Sequence, residues 1–201
     1  MFLRSCGREK YRLVWFDIET TGFNPFKNEI IEIAAVDNAG NKFEELIRPS
    51  KFIPKKITEI TNISNEMVIN KKSVKEVLEN FIHFVKGNET NNKPVYIIGH
   101  NIHSFDMPFI KAKCAEFNIR FPNVYQLDTM RMSQFILKDQ WSHNLNALCS
   151  LFGIANKNAH RALSDVYATQ IVYCNLCLLF KRDFQKSDPN TLYYKTSVLF
   201  T

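Results

Sequence analysis

The sequence lacks the features of a membrane protein or a secreted protein. No apolar run reaches the roughly 20 residues that a membrane-spanning helix needs, and residues 1–4 do not lead into the apolar core of a signal peptide. We therefore expect an intracellular protein, cytoplasmic or nuclear, with no membrane partner. Repeats, low-complexity tracts and linkers are also missing, and 201 residues suit one domain. We place this domain at residues 1–182 and a polar C-terminal tail at residues 183–201.

Cysteines are too few for a disulfide scaffold or a zinc site. The chain has five of them, and an odd number suits a reducing compartment. Cys174 and Cys177 have the spacing of two zinc ligands, but no second pair exists to complete a site. We predict that both pack in an apolar helix.

Basic residues outnumber acidic ones, which gives a net charge of +6 and a pI of about 9.0. The excess is uneven, because residues 49–75 contain six lysines and only two glutamates. Such a balance is compatible with a polyanionic partner. The lysine-rich segment is open to two interpretations, a rim that faces phosphates and an ordinary solvated surface.

The order of the predicted elements indicates the fold class. Three strands joined by short turns are expected to be antiparallel, the first starting at Leu13 and the others covering 29–37 and 42–48. The elements that follow are a helix at 73–87, a strand at 95–99, a helix from about 104 or 107 to 118, a strand at 125–128, and helices at about 129–138, 144–152 and 162–182. This order predicts an α/β protein with a central mixed five-stranded sheet, the first strand in its middle and helices on both faces.

Two acids stand at the end of the first strand. Because alternate side chains of a strand point the same way, Asp17 and Glu19 share a face and lie about 7 Å apart. Buried carboxylates this close repel each other unless cations neutralise them, and oxygen ligands suit Mg²⁺ or Mn²⁺. A strand that simply ends in solvated acids would have the same sequence.

Two later clusters carry further polar groups. Asp106 follows the strand at 95–99, where open α/β sheets place their sites, and it could either add a third carboxylate or cap the next helix. His160 and Asp165 are five residues apart, which corresponds to a rotation of roughly 140° on a helix. We therefore expect His160 in the loop before the last helix, where it can approach the same centre. Histidine suits a general base, since its unperturbed pKa is about 6.5.

Together the three clusters resemble the motifs of the DEDDh family of exonucleases. The motifs are Phe-Asp-x-Glu-Thr-Thr-Gly at 16–22, His-Asn…Phe-Asp at 100–106 and His-Arg-Ala-Leu-x-Asp at 160–165. The spacer between Asn101 and Phe105, with a proline at 108, is similar to that of the three-prime repair exonucleases of animals. The resemblance covers about residues 12–180 and implies a ribonuclease-H-like fold and 3′→5′ release of nucleoside 5′-monophosphates.

The resemblance also implies a role for individual residues. Two divalent metal ions, Mg²⁺ or Mn²⁺, would be held by Asp17, Glu19, Asp106 and Asp165. His160 would be the general base. The nucleic acid's free 3′ end would contact Ile18, Thr20, Thr21, Phe23, Asn101 and Phe105, although the two phenylalanines could equally belong to the core.

The substrate is less narrowly predicted than the reaction. Single-stranded or frayed DNA is our first expectation, in DNA repair or proofreading. An RNA exonuclease is the alternative, because contacts to the 2′-OH decide between the two. A third hypothesis is a non-catalytic nucleic-acid-binding module on the same fold. A polymerase or a second copy of the chain are the possible protein partners, and residues 198–200 could dock on such a partner or pack back on the domain.

Overall fold

A five-stranded mixed sheet forms the centre of the computed structural model, which describes residues 11–87 and 93–184, the last two by backbone only. The predictions for the C-terminal tail lie outside these residues. The strands are β1 (Arg12–Thr20), β2 (Ile30–Asp37), β3 (Lys42–Leu46), β4 (Val95–Gly99) and β5 (Tyr125–Asp128). Their order across the sheet is β3-β2-β1-β4-β5, in which β2 runs antiparallel to β1 and β3 whereas β4 runs parallel to β1 and β5. The predicted mixed sheet with the first strand in its middle is confirmed.

Helices follow and separate the strands. Those within the described residues are α1 (Lys55–Thr61), α2 (Asn65–Val68), α3 (Val74–Lys86), α4 (Asp106–Glu116), α5 (Thr129–Ile136), α6 (Leu145–Phe152) and α7 (Ala162–Phe184). α3 starts with a capping box, in which the Ser73 hydroxyl accepts a hydrogen bond from the Glu76 backbone and the Glu76 carboxylate accepts one from the Ser73 backbone. It ends at Gly87, as the sequence pattern predicts.

The alternation of side chains along β1 divides the core into two layers. One layer packs α3 and α4 against the even-numbered residues Val14, Phe16 and Ile18. The other packs α7 against the odd-numbered residues Leu13 and Trp15. Asp17 and Glu19 continue the odd-numbered series, so they leave the strand on the side of α7.

α7 corrects one expectation from the sequence. Its residues Ala162–Arg182 form a 21-residue stretch that is long and apolar enough to cross a membrane, judged by length and composition alone. The same helix packs against β1, β2, α5 and α6. Val166 joins the core under the sheet, whereas Val172 and Leu176 join a second cluster with α5 and α6. Part of the apolar surface of α7 is therefore buried on two sides, and 39% of its apolar stretch is buried inside the protein.

The described cysteines all lie in helices. Cys114 and Cys149 are buried, and Cys177 packs beside the cluster that α5, α6 and α7 form. Cys174 is half-buried on the same helix. The predicted packing role of Cys177 is confirmed.

Candidate active site

Three acids meet where β1 ends and α7 begins. Asp17 and Glu19 come from β1, and Asp165 lies in the first turn of α7. One carboxylate oxygen from each of them lies within 4.8 Å of the other two. Oxygen ligands lie about 2.0–2.6 Å from Mg²⁺ or Ca²⁺, so oxygens at this separation can share one cation. The acidic cluster is therefore compatible with a divalent metal ion.

Asp106 approaches the same cavity from the start of α4. It is the first residue of that helix and not its cap, which is Phe105. The Asp106 Oδ1 atom accepts a hydrogen bond from the backbone N–H of Ile18 at 3.2 Å. Because Ile18 lies between Asp17 and Glu19, this bond holds the fourth acid beside the other three.

Burial makes negative charge costly in this cluster. Desolvation, followed by repulsion from Asp106 and Glu19, raises the pKa of Asp17 well above its ordinary value. Desolvation is also the main cause that raises the pKa of Glu19 to about 8 and that of Asp106 to about 7. The pKa of Asp165 is raised for the same reason. A bound cation would counter all four shifts, because it stabilises the ionised carboxylates.

The raised pKa values predict how stability depends on pH when metal is removed. Unfolded carboxyl groups titrate near pH 4, whereas folded Asp106 and Glu19 have pKa values of about 7 and 8. Between these limits the folded state binds more protons than the unfolded state, so stability is lost as the pH rises. In EDTA, the free energy of unfolding by urea should therefore fall from pH 5 to pH 8.

Two comparisons separate this effect from other titrations. Adding Mg²⁺ or Mn²⁺ at pH 8 should restore most of the lost free energy, since folded protein binds the cation. Glu19→Gln should flatten the pH dependence in EDTA, because it removes one buried ionisable group. A free energy of unfolding that rises with pH in EDTA would contradict the buried acidic cluster.

His160 lies in the turn before α7, as predicted. Its backbone has a left-handed conformation, with φ of 65°, and its side chain is exposed at the cavity. The His160 backbone N–H donates to Asp165 Oδ2 at 2.9 Å. The amide of Asn156 donates to Asp165 Oδ1 at 2.6 Å, and the hydroxyl of Ser164 donates to the amide oxygen of Asn156. Both oxygens of Asp165 are therefore oriented by neighbours, of which Asn156 and Ser164 were not expected from the sequence.

An ion pair behind His160 was also missed. Glu32 is fully buried in β2, opposite Glu19 in the β1–β2 register. Its carboxylate accepts hydrogen bonds from Arg161 Nη2 at 2.8 Å and Nε at 3.3 Å, and one from the Ala162 backbone N–H at 2.9 Å. This contact fixes the residue after His160 and the first residue of α7. The available signal was a glutamate with two isoleucines before it and Ile33 after it in a predicted strand.

Removing the arginine of the Arg161–Glu32 ion pair should lower the stability of the fold. Arg161→Ala leaves the Glu32 carboxylate, whose side chain is 1% exposed, without its countercharge. We expect a loss of about 3–5 kcal/mol in the free energy of unfolding. Glu32→Gln should cost less, since the glutamine oxygen can still accept from the Ala162 N–H. Urea unfolding at pH 7 measures both, and equal stability of the two variants would contradict the need for a countercharge.

A cavity of about 460 Å³ opens beside the acids. It is lined by five of the six residues predicted to bind the 3′ end, namely Ile18, Thr20, Phe23, Asn101 and Phe105. The Ile18 side chain nevertheless packs into the core under α3 and α4. The sixth residue, Thr21, is not among the lining residues, and its hydroxyl accepts a hydrogen bond from the Glu29 backbone at 2.9 Å.

Two phenylalanines form one wall of the cavity. The rings of Phe23 and Phe105 have centroids 6.3 Å apart. Phe23 is 82% exposed, which rules out the core role left open by the sequence. Phe105 is half-buried and also contacts Phe109, with centroids 5.2 Å apart. The wall therefore has one ring fixed by the core and one ring free to meet a ligand.

The loop after β4 carries Asn101 and Phe105 to this wall. A Cβ at Gly99 would collide with the Ile102 side chain and lie 3.0 Å from the Phe16 carbonyl oxygen, so the sharp return of the chain needs glycine here. Asp128, at the end of β5, accepts a hydrogen bond from the Asn101 backbone N–H at 2.9 Å. The end of the neighbouring strand thus fixes the loop.

Other lining residues were not expected from the sequence. The lysine-rich segment supplies Ile57, Ile60 and Thr61, the loop after β4 supplies His100, and α5 and the cap of α6 supply Met130 and Asn144. Burial lowers the pKa of His100 to about 4, so this ring is neutral near pH 7. Two further histidines are engaged elsewhere: His103 Nδ1 lies 3.1 Å from Asp128, and His143 Nδ1 lies 3.0 Å from the Ser133 hydroxyl.

A known family accounts for these features. The model of the RNase T exonuclease family matches residues 14–173. The chain belongs to this exonuclease family. The matched residues include all three motifs, so the predicted family resemblance is confirmed.

Curated relatives of the exonuclease domain differ greatly in length. This chain is 34% identical over 167 residues to the PolC-type DNA polymerase III of Caldanaerobacter subterraneus subsp. tengcongensis. The match covers 81% of this chain but 11% of that protein. The chain is 32% identical over 172 residues to the 3′-5′ exonuclease DinG of Bacillus subtilis, covering 83% of the chain and 18% of DinG. The DNA polymerase III subunit epsilon of Aquifex aeolicus is 29% identical over 167 residues. That match covers 81% of this chain and 79% of the epsilon subunit. The chain thus spans less than one fifth of the first two relatives.

Solved structures share the fold of the exonuclease domain. Exonuclease I superposes with a TM-score of 0.70 at 20% identity, over 92% of this chain and 46% of that one. Exonuclease X, in complex with 5′ overhanging duplex DNA, gives a TM-score of 0.61 at 23% identity, over 82% of this chain and 90% of that one. The ribonuclease-H-like fold implied by the motifs is confirmed.

Proposed function

We propose that this protein is a metal-dependent 3′→5′ exonuclease that releases nucleoside 5′-monophosphates, with single-stranded or frayed DNA ends as its preferred substrate. The observation that carries the proposal is the convergence of Asp17, Glu19 and Asp165 on one cavity. Membership of the exonuclease family supports the reaction. The relative DinG is a 3′-5′ exonuclease, and the structural neighbour exonuclease I has been solved with a dT13 oligonucleotide, which supports DNA as the substrate.

The acidic cluster is our proposed metal centre. Asp17, Glu19, Asp106 and Asp165 would hold two divalent ions, Mg²⁺ or Mn²⁺. When bound, such ions lower the pKa of water and offset negative charge on phosphate oxygens. The chain's own part is to orient the ligands: the Ile18 N–H fixes Asp106, and the His160 N–H fixes Asp165.

His160 is our proposed general base. Its exposed ring lines the cavity, and the turn that carries it is tied to Asp165 on one side and to the Arg161–Glu32 pair on the other. From this place the imidazole takes a proton from the water that attacks the terminal phosphodiester. The backbone of His160 is therefore held beside Asp165, within reach of the acids.

The aromatic wall would hold the terminal nucleotide. Stacking of a base on an aromatic ring contributes roughly 1–3 kcal/mol and tolerates any sequence. Phe23 offers an exposed face, and Phe105 supports it from the core side. Thr20 and Asn101 line the same cavity and can supply polar contacts.

Phe23→Ala should weaken substrate binding more than it slows the chemical step. Loss of one stacked base corresponds to a rise in KM of roughly 5- to 150-fold. Steady-state kinetics on a single-stranded oligonucleotide measures this rise. Phe26→Ala is the matched control, because Phe26 is 87% exposed nearby in sequence but does not line the cavity. Equal effects of the two substitutions would contradict the proposed wall.

A degradation assay tests the reaction and the substrate together. Matched 5′-labelled DNA and RNA oligonucleotides, single- and double-stranded, are incubated with Mg²⁺, Mn²⁺ or EDTA. We expect a ladder that shortens from the 3′ end, faster on single-stranded DNA, and no cleavage in EDTA. Faster shortening of RNA would favour the RNA exonuclease. Binding without cleavage under all metal conditions would favour a non-catalytic module.

We also propose an intracellular role in DNA repair or proofreading. The relatives from DNA polymerase III support this setting and make a polymerase the first candidate for a protein partner. A second copy of the chain is the other candidate. Size-exclusion chromatography of the protein alone and with a polymerase distinguishes the two.

A further inference from the structure

Trp141 has the most exposed ring among the large apolar side chains that the structure describes. It is 98% exposed, whereas tryptophan usually buries a large apolar area. The ring stands in the loop 137–144 between α5 and α6, flanked by the polar residues Lys138, Asp139, Gln140, Ser142 and His143. A single ring among polar neighbours is not the contiguous apolar patch that marks a protein-docking surface. It does suit a ligand with one flat aromatic face.

The loop holds Trp141 from both sides. Before it, the Gln140 N–H donates to the Leu137 carbonyl at 3.0 Å. After it, the His143 ring contacts the hydroxyl of Ser133, a buried residue of α5. The Asn144 side chain then caps α6 by accepting from the Ala147 N–H at 2.8 Å. Because the loop is already held in place, ordering of its backbone costs little when the ring binds a ligand.

Asn144 places the ring near the candidate active site. Asn144 and Met130 line the cavity on the side that α5 and α6 form, and Phe23 lines it from the loop after β1. Three residues of chain span at most about 11 Å. The backbone of Trp141 therefore lies within that distance of Asn144, one of the lining residues, and its indole is exposed to solvent.

We propose that Trp141 is a stacking platform for a base of the substrate strand, upstream of the nucleotide that occupies the cavity. This inference rests on the proposed exonuclease function and adds a second binding position to it. The ligand is an unpaired base of single-stranded nucleic acid, because a base inside a duplex is stacked on its neighbours and cannot present its face to the indole. A long single strand would contact both the cavity and the Trp141 ring, whereas a dinucleotide would contact the cavity alone.

Substrate length provides the kinetic test. For a single-stranded DNA of roughly ten nucleotides, Trp141→Ala should raise KM about 5- to 150-fold, the loss of one stacked base. For a dinucleotide the same variant should leave KM unchanged, and kcat should stay the same for both substrates. Trp141→Phe should restore most of the binding. Tyr125→Ala is the control, since Tyr125 is exposed at the opposite end of β5 from the cavity and should change neither KM.

Tryptophan fluorescence gives a readout that does not need cleavage. The chain has two tryptophans, and the other one, Trp15, is 1% exposed in the core. In the Asp165→Asn background with Mg²⁺, the long oligonucleotide should quench the fluorescence and the dinucleotide should not. Trp141→Ala should remove the quenching.

Two results would overturn the platform. One is an unchanged KM of Trp141→Ala for the long strand, and the other is fluorescence that the long strand does not alter. If both results were obtained, the exposed Trp141 ring would be assigned to contact with a protein partner instead. Failure of the proposed exonuclease function gives a different result. The unmodified protein would then cleave neither substrate, and the fluorescence titration would still report whether a base stacks on Trp141.

Discussion

Asp165→Asn will abolish the shortening of DNA while leaving the fold intact. Asparagine keeps the shape of the side chain but removes the charge of one of the three carboxylates that lie within 4.8 Å of one another. The remaining acids then hold a divalent cation too weakly and in an altered position, and a metal-dependent nuclease loses its Lewis acid. Shortening of a 5′-labelled single strand in Mg²⁺ measures the effect.

The same substitution should stabilise the protein when no cation is present. The pKa of Asp165 is raised by burial, so its ionisation costs folding free energy at pH 8. Asp165→Asn should therefore unfold at a higher urea concentration than the unmodified protein in EDTA, and gain less from Mg²⁺. A lower cleavage rate together with a higher free energy of unfolding shows that the variant has lost catalysis and kept its fold. Normal cleavage by a preparation free of other nucleases would refute the metal assignment.

Glu79→Gln provides the control for this experiment. Glu79 is an exposed acid on α3, far in sequence from the three motifs. Its substitution removes one negative charge without touching the cavity. It should change neither the cleavage rate nor the response to Mg²⁺, which shows that the effect at Asp165 comes from its place in the cluster.

Local patterns predicted the fold well because most of its elements carry their own start and stop signals. β4 and β5 have the predicted bounds: β4 is a short apolar segment between polar loops, and β5 ends at Asp128, which caps α5 by accepting from the Met130 N–H. The capping box at Ser73 marks the start of α3 within four residues of sequence. The central position of β1 follows from its apolar run, which only a strand covered on both faces can bury.

The site was predicted by its motifs and not by its supporting contacts. Glu32 and Arg161 are 129 residues apart, so no local pattern relates them, and they meet because β2 lies beside β1 and α7 covers both. Asn156 binds Asp165 across a turn whose geometry depends on His160 adopting a left-handed conformation. Such contacts arise from tertiary packing and could only be found in the folded chain.

His160→Asn should reduce the cleavage rate by roughly 10²–10⁴, the usual contribution of a general base. Asparagine is chosen because it tolerates the positive φ of 65° at this position better than alanine does. The His160 backbone bond to Asp165 can therefore persist, and the loss reports the imidazole alone. His160→Ala should lose as much activity and, in addition, some stability from backbone strain. Rates under single-turnover conditions and urea unfolding measure the two effects.

The response to Mg²⁺ distinguishes this role from a structural one. In His160→Asn, Mg²⁺ should still stabilise the folded protein through Asp17, Glu19 and Asp165, as in the unmodified protein, although the cleavage rate falls. His83→Ala is the control, because His83 is exposed in the last turn of α3 and should change neither the rate nor the response to Mg²⁺. Normal turnover in His160→Asn would exclude His160 as the base and leave the attacking water to be deprotonated by another group.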